Sequence, residues 1–312
     1  MDEVRGSQLA PVLIFAYRRP QHLRRVVEGL RRNRLANETD VVFFVDGPSG
    51  ANDIALVRQV HEVVDCVSGF RSVTKIGSTV NQGLSKSLIN GIGHSLEVHD
   101  RVIVLEDDIL VGPHFLEFMN AGLQVFRGDQ RVASIHASVY PHEARLQEPF
   151  FIRGADCWGW ATWRRAWEVF EPDGARLLRD LRQRGLIEAF DFEGTAPYKE
   201  MLIDQIQGRN DSWAVRWYAS ALVNEMLTLY PNQPMAINIG EDGSGTHRGS
   251  SSAYQQQLSQ SPVTVERIPI VESEEGREAF REFFRARYRI PSSMLGRWLW
   301  RRARRLRNRL RH

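Results

Sequence analysis

The sequence holds only two cysteines, Cys66 and Cys157, with no CxxC spacing. That excludes a disulfide framework and makes a reducing cytoplasm the expected location. The opening stretch Met1–Ala10 carries Asp2 and Glu3 and lacks an apolar segment, so it does not read as a secretory leader. Without one, the Asn37-Glu38-Thr39 glycosylation sequon reads as chance. No apolar run reaches the roughly 18 residues of a membrane-spanning helix. No internal repeat is present.

What the chain does have is core-forming material. Its 312 residues are 42% apolar, enough for one large α/β domain with an appendage, or for two modest domains. The formal net charge of +3 conceals an uneven distribution. Arg297 to Arg311 contains eight arginines and no acid, and without those charges the remainder stands at −5. A basic body would point to nucleic acid, which is therefore not an expected partner. A basic tail on an acidic body points to an anionic surface.

The first 140 residues alternate apolar runs with amphipathic stretches, the pattern of βαβ units around a parallel sheet. Strands are predicted at Pro11–Ala16, Val41–Val45, Arg71–Ile76 and Val102–Leu105. Helices are predicted after Pro20, through Ile54–Val64, from Gly83 to about Val98, and after Pro113. Three polar turns follow strands: Tyr17–Arg19, Asp46-Gly47 and Glu106–Asp108. Open α/β sheets bind ligands at such carboxyl ends, so the three turns are the first indication of a site. Beyond Val139 the chain changes character, with aromatics crowded between Cys157 and Trp167. Helical stretches follow at Pro197–Gln207, Ser212–Leu227 and residues 274–288. Gly240–Ser252 has the Gly/Ser composition of a mobile loop.

Glu106-Asp107-Asp108 places three carboxylates directly after an apolar strand. Their mutual repulsion there is costly unless a cation offsets it. Mg²⁺ or Mn²⁺ suits the task, because each binds one or two carboxylates together with phosphate and water. A solvated acidic turn is the plainer alternative. The stretch His94 to Pro141 resembles the metal-binding region of GT-A glycosyltransferases, in particular the N-acetylglucosaminyltransferase I group and related bacterial family 2-like enzymes. Glu106-Asp107-Asp108, Pro113 and Phe115 match that family's Glu-Asp-Asp form of the DxD motif in order and spacing.

The resemblance implies a GT-A fold, an α/β architecture with a mostly parallel central sheet flanked by helices, to which this chain adds an amphipathic helical tail. It makes Asp108 the metal ligand, with Glu106 and Asp107 near the donor ribose and sugar. Tyr17, Arg18 and Arg19 would border the nucleotide, either arginine offsetting the diphosphate charge through its planar fork. Asp46 would accept the N3 hydrogen of uracil, although capping a turn is the ordinary role of an Asp-Gly aspartate. Asn81-Gln82-Gly83 resembles an Asn-x-Gly signature beside the nucleotide. Gly159-Trp160 resembles a Gly-Trp pair, and the clustered tryptophans could offer a platform to a sugar or simply fill a core. Gly243–His247 resembles a loop closing over the donor, where Thr246 or His247 could touch the diphosphate or His247 could join the metal, although a His in such a loop is more often simply exposed.

An inverting transferase needs a carboxylate to take the acceptor proton. The family carries this base as an Asp just before a Trp at a helix start. Asn210-Asp211-Ser212-Trp213 fits with an offset of one position, so Asp211 is the candidate, and Asp211 or Ser212 could instead cap the helix. The resulting expectation is a metal-dependent transferase moving a sugar, hexosyl or N-acetylhexosaminyl, from a UDP-sugar to a glycan or lipid-linked acceptor. Residues 1–140 would bind the nucleotide and 141–255 the acceptor. Residues 256–312 would form a basic tail lying on the anionic inner face of a membrane, its Trp298, Leu299, Trp300, Leu306 and Leu310 interleaved with arginines. The competing classes are a nucleotidyltransferase, which lacks its usual Gly-rich loop here, and a non-catalytic membrane-associated protein.

Overall fold

The computed structural model describes residues 9–240, 254 and 256–288. Ten strands and ten α-helices follow in chain order among them. The first half runs β1 (Val12–Ala16), α1 (Pro20–Arg31), β2 (Asp40–Val45), α2 (Ala51–Asp65), β3 (Ser72–Gly77), α3 (Leu84–Val98), β4 (Arg101–Glu106), β5 (Ile109–Val111) and α4 (Phe115–Val125). The second half runs β6 (Val132–His136), β7 (Phe150–Ile152), β8 (Trp160–Trp163), α5 (Arg164–Trp167), α6 (Gly174–Gln183), α7 (Ile187–Phe190), α8 (Tyr198–Ile206), α9 (Trp213–Val223), β9 (Leu227–Tyr230), β10 (Ala236–Asn238) and α10 (Glu274–Tyr288).

Eight strands form one sheet in the order β3-β2-β1-β4-β8-β6-β9-β7. β1 to β4 are mutually parallel, β8 runs antiparallel between β4 and β6, and β7 closes the far edge antiparallel to β9. This is the mostly parallel, helix-flanked α/β architecture expected. β1 and β4 are apolar on both faces and almost wholly buried, as strands covered on two sides must be. Pro20 starts α1 where its missing N–H costs nothing. Helix α3 comes close to the sheet because Gly91 has no Cβ, which would otherwise lie 2.6 Å from the Phe15 ring. Phe15 in turn stacks on Phe44 at 4.8 Å.

Two features of the second half position the site. β5 and β10 pair antiparallel in a separate ribbon that returns the chain to the Glu106–Asp108 turn, where Ile239 N–H donates to the Asp108 carbonyl at 2.9 Å. Helix α10 docks on the body: Phe280, Phe283 and Phe284 are buried among Tyr140, Phe192 and Tyr198. This helix is the first part of the segment read as a tail, and the arginine-rich residues beyond it lie outside the described residues. The helix expected over Ser212–Leu227 ends at Val223. Glu225 adopts a left-handed φ of 57° and the chain enters β9 at Leu227. Among the described residues, no helix is long and apolar enough to cross a membrane.

Candidate active site

The turns after β1, β2 and β4 meet at one edge of the sheet because these strands are neighbours and parallel. The backbone N–H of Tyr17 donates to Asp107 Oδ2 at 3.0 Å, tying the first turn to the acidic one. The Arg19 guanidinium donates to Asp108 Oδ2 and lies 3.9 Å from Asp107 Oδ1. Asp108 is 9% exposed, and its other oxygen, Oδ1, is buried with no hydrogen-bond partner among the described residues. Gly240, at the end of the returning ribbon, packs directly on this pair. A Cβ there would collide with Asp108 Oδ2 and lie 2.7 Å from Arg19 Nη1.

Glu106 and Asp107, at the end of a buried strand, hold their protons more tightly than free carboxyls. Burial, then Asp108 and Asp107, push Glu106 up to about 8. Burial and Asp108 push Asp107 up to about 7, partly offset by the Tyr17 N–H and by Arg19. One arginine therefore compensates the cluster incompletely. An unpartnered, buried carboxylate oxygen among such neighbours fits a divalent cation, with Asp108 as its holder. Among the described residues, no three His, Cys, Asp or Glu side chains are arranged to hold a metal by themselves. An ion here would draw its remaining ligands from a bound diphosphate and water, the usual habit of Mg²⁺. Thr246 and His247, expected on the diphosphate and the metal, lie outside the described residues.

Asp46 does not do what the resemblance implies. Its Oδ1 accepts the N–H groups of Gly47 and Gln82, both at 2.9 Å. Its Oδ2 accepts Gly83 N–H at 2.9 Å and Asn81 Nδ2 at 3.1 Å. Four donors fill the roughly four acceptor positions of a carboxylate, leaving none for a uracil N–H. Asn81 is likewise occupied, its amide also donating to the Gly47 carbonyl at 2.9 Å. Gly47 makes the close approach feasible, since a Cβ would lie 2.5 Å from the Val80 backbone. Asp46 and Asn81 therefore build the loop before α3 and shape the site's wall.

Arg18 also points elsewhere. It donates to Asp53 Oδ1 at 2.8 Å, while Tyr17 Oη donates to Asp53 Oδ2 at 2.7 Å. The Ser49 hydroxyl, Tyr17 and Arg18 together hold Asp53 far below the usual carboxylate range. Asp53, in the first turn of α2, carries no motif and was not foreseen, yet it orients both side chains of the β1 turn. Of the two arginines, Arg19 is the one on the acidic cluster.

Asp211 sits at the start of α9, and the structure separates it from capping. Ser212 is the N-cap, its hydroxyl accepting Val215 N–H at 3.3 Å. The Asp211 side chain is 71% exposed and, among the described residues, pairs with Arg216, Nη2 to Oδ1 at 3.4 Å. Arg216 is buried and donates to Ser85 Oγ at 2.7 Å, joining α9 to the first turn of α3 beside the Asp46 loop. Trp160, by contrast, is fully buried with Trp167, Trp213 and Trp217 packed around it at 5.6 to 6.0 Å. It braces α9 against β8 and cannot offer a face to a sugar. The partly exposed tryptophans of this segment are Trp158 and Trp167.

No protein-family model and no curated protein sequence matches the chain. Solved structures similar to it include residues 1–349 of TarS from S. aureus, at 10% identity and a TM-score of 0.41, with 73% of this chain covered and 60% of that one. The mannosyltransferase PcManGT from Pyrobaculum calidifontis, in complex with GDP-Man and Mn²⁺, shares 13% identity over 69% of this chain and 75% of its own, at a TM-score of 0.35. The galactosyltransferase LgtC, with donor and acceptor sugar analogues, shares 11% over 70% and 72%, also at 0.35. This chain thus spans less than two thirds of the TarS fragment. At such identities its activity has to be argued from its own residues.

Proposed function

We propose that this chain is a glycosyltransferase that uses Mg²⁺ or Mn²⁺ to transfer a sugar from a nucleoside diphosphate sugar to an acceptor hydroxyl, with inversion. The observation that carries the reading is Asp108, a buried carboxylate at the mouth of the sheet with one oxygen on Arg19 and the other unpartnered. A divalent ion held there would supply Lewis-acid stabilisation of the leaving diphosphate. Arg19 stands ready to move from Asp108 to phosphate oxygens, matching their geometry with its planar fork. The Asp46–Asn81 loop forms the wall on the β2 side, and Asp53 holds Tyr17 and Arg18 at the entrance. Asp211 takes the proton of the acceptor hydroxyl as that oxygen attacks the anomeric carbon. Its exposure leaves it open to an incoming acceptor, and Arg216 fixes its position. UDP is the first nucleotide to try, a preference that now rests on the resemblance around Glu106–Asp108 alone. The acceptor is a glycan or lipid-linked glycan, met at the inner face of a membrane by the basic tail.

The test is release of nucleoside diphosphate from UDP-, GDP- and dTDP-sugars in the presence of Mn²⁺ or Mg²⁺, with and without added acceptors. Metal-dependent release from one nucleotide class, abolished in Asp108→Ala, supports the reading. For Asp211→Asn, turnover should fall by about 10²- to 10⁴-fold while nucleotide binding persists. Release from no donor under any condition contradicts the proposal.

A further inference from the structure

Asp156 occupies an environment that the donor site does not explain. It lies in the segment leading into β8, partly buried against an aromatic wall. Tyr140 Oη donates to its Oδ1 at 2.8 Å and Tyr230 Oη to its Oδ2 at 2.8 Å. Gly154 makes room for this, since a Cβ there would collide with the Tyr230 hydroxyl. Among the described residues, no arginine, lysine or histidine forms an ion pair with Asp156. Its charge instead falls on neutral neighbours, raising the proton affinities of Tyr140, Tyr198, Tyr230 and Cys157 beyond what burial does. An acid held among aromatics without a cation weakens a fold unless it serves something else. The two tyrosine hydroxyls use about half of its acceptor positions.

What surrounds the remaining positions is informative. Trp158 and Tyr254 are both partly exposed and meet edge to face at 5.0 Å and 76°, and Tyr140 lies 6.2 Å from Tyr254. The backbone at Trp158 is fixed from below, its N–H donating to His136 Nε2 at 3.0 Å. Aromatic faces that attract C–H groups, beside a carboxylate that accepts hydroxyls, are complementary to a sugar ring, which presents both. The position is equally specific. β8 pairs with β4 on the side away from β1 and β2, with Trp160 opposite Val104. Gly159 abuts Ile109 and Ala236 of the ribbon. The aromatic group therefore borders the acidic cluster from the flank opposite the Asp46 loop.

We propose that Asp156, Trp158 and Tyr254 form a saccharide-binding subsite that positions the acceptor sugar, with Trp158 and Tyr254 against its C–H face and Asp156 accepting its hydroxyls. This assignment rests on the glycosyltransferase reading, because the acidic cluster it borders is the reaction centre of that reading.

The experiment is saturation-transfer-difference NMR on the full chain with UDP and diamagnetic Mg²⁺, using the methyl glycosides of glucose, galactose, mannose and N-acetylglucosamine as probes. At least one glycoside should receive saturation at its ring protons. Asp156→Asn and Trp158→Ala should each weaken that binding by about tenfold, the loss of a charge-assisted hydrogen bond or a ring face. Trp158→Phe, which keeps a ring, should restore part of it. UDP affinity by calorimetry and the melting temperature should change little in these variants. Saturation of no glycoside, or undiminished saturation in Asp156→Asn and Trp158→Ala, overturns the subsite. Loss of glycoside and UDP binding together also overturns it, since the residues would then support the fold. Saccharide binding in a chain that binds no nucleotide would instead contradict the proposed function.

Discussion

The Arg19 guanidinium is bonded to one oxygen of Asp108 while the other oxygen of the same carboxylate is buried without a donor among the described residues. The arginine thus occupies half of the position a metal would use, and it would have to yield part of it when donor and metal arrive. Arg19→Gln should therefore bind Mn²⁺ more tightly than wild type in the absence of nucleotide. It should bind nucleoside diphosphate with Mn²⁺ about 10- to 100-fold more weakly, having lost a charged hydrogen-bond donor. Mn²⁺ titration followed by electron paramagnetic resonance, together with calorimetry, separates the two effects.

Gly240 is required for its size. Any Cβ there meets Asp108 Oδ2, Asp108 Cγ at 2.9 Å and Arg19 Nη1 at 2.7 Å. Gly240→Ala should displace the Arg19–Asp108 pair and weaken metal-dependent nucleotide binding by at least about tenfold. Gly240 lies two residues beyond β10 and outside the main sheet, so circular dichroism and the melting temperature should stay near wild type.

Asp46 should behave as a structural residue. Asp46→Ala leaves the N–H groups of Gly47, Gln82 and Gly83 and the Asn81 amide without their acceptor. Urea denaturation should show a loss of about 2–3 kcal/mol. Affinities for UDP and GDP should fall together; a selective loss of UDP binding would restore a base-reading role for this side chain.

His136 makes stability depend on pH. Its Nδ1–H donates to the Ser138 carbonyl at 2.7 Å and its Nε2 accepts the Trp158 N–H, so the ring is held neutral. Burial lowers its pKa from 6.5 to about 4. Between those values the unfolded chain binds the extra proton and the folded one does not, so the contribution of His136 to stability falls as pH drops from about 6.5 towards 4, while the raised Glu106 and Asp107 act in the opposite sense. The loss approaches about 3 kcal/mol at the acid end. His136→Gln, which does not titrate, should raise the melting temperature at about pH 4.5 relative to that at about pH 7 when compared with wild type.

The first half of the fold was legible because βαβ units write two periods into the chain. PVLIFA, VVFFV and VIVL each read as buried strands, and the helices between them repeat apolar residues at helical spacing. The second half resisted reading because its strands are short and aromatic. WATW, FFI and LTLY resemble core filler as much as β structure, and the left-handed turn at Glu225 is invisible in a sequence that runs smoothly from helix to strand. The acidic cluster and Asp211 were legible as motifs. Their settings were not, because they depend on contacts distant in sequence: Arg19 with Asp108, Arg18 with Asp53, Arg216 with Ser85, Tyr140 and Tyr230 with Asp156. An isolated aspartate such as Asp53 or Asp156 carries no local pattern, and a saturated one such as Asp46 looks the same in sequence as an available one.

The central claim is that Asp108 holds a metal together with a nucleoside diphosphate. Isothermal calorimetry with UDP, GDP and dTDP, each with and without Mn²⁺, addresses it directly. The account predicts binding of one of the three that requires Mn²⁺ in the wild type and disappears in Asp108→Ala. Binding that is indifferent to Mn²⁺ and to Asp108, or no binding of any of the three, would contradict it.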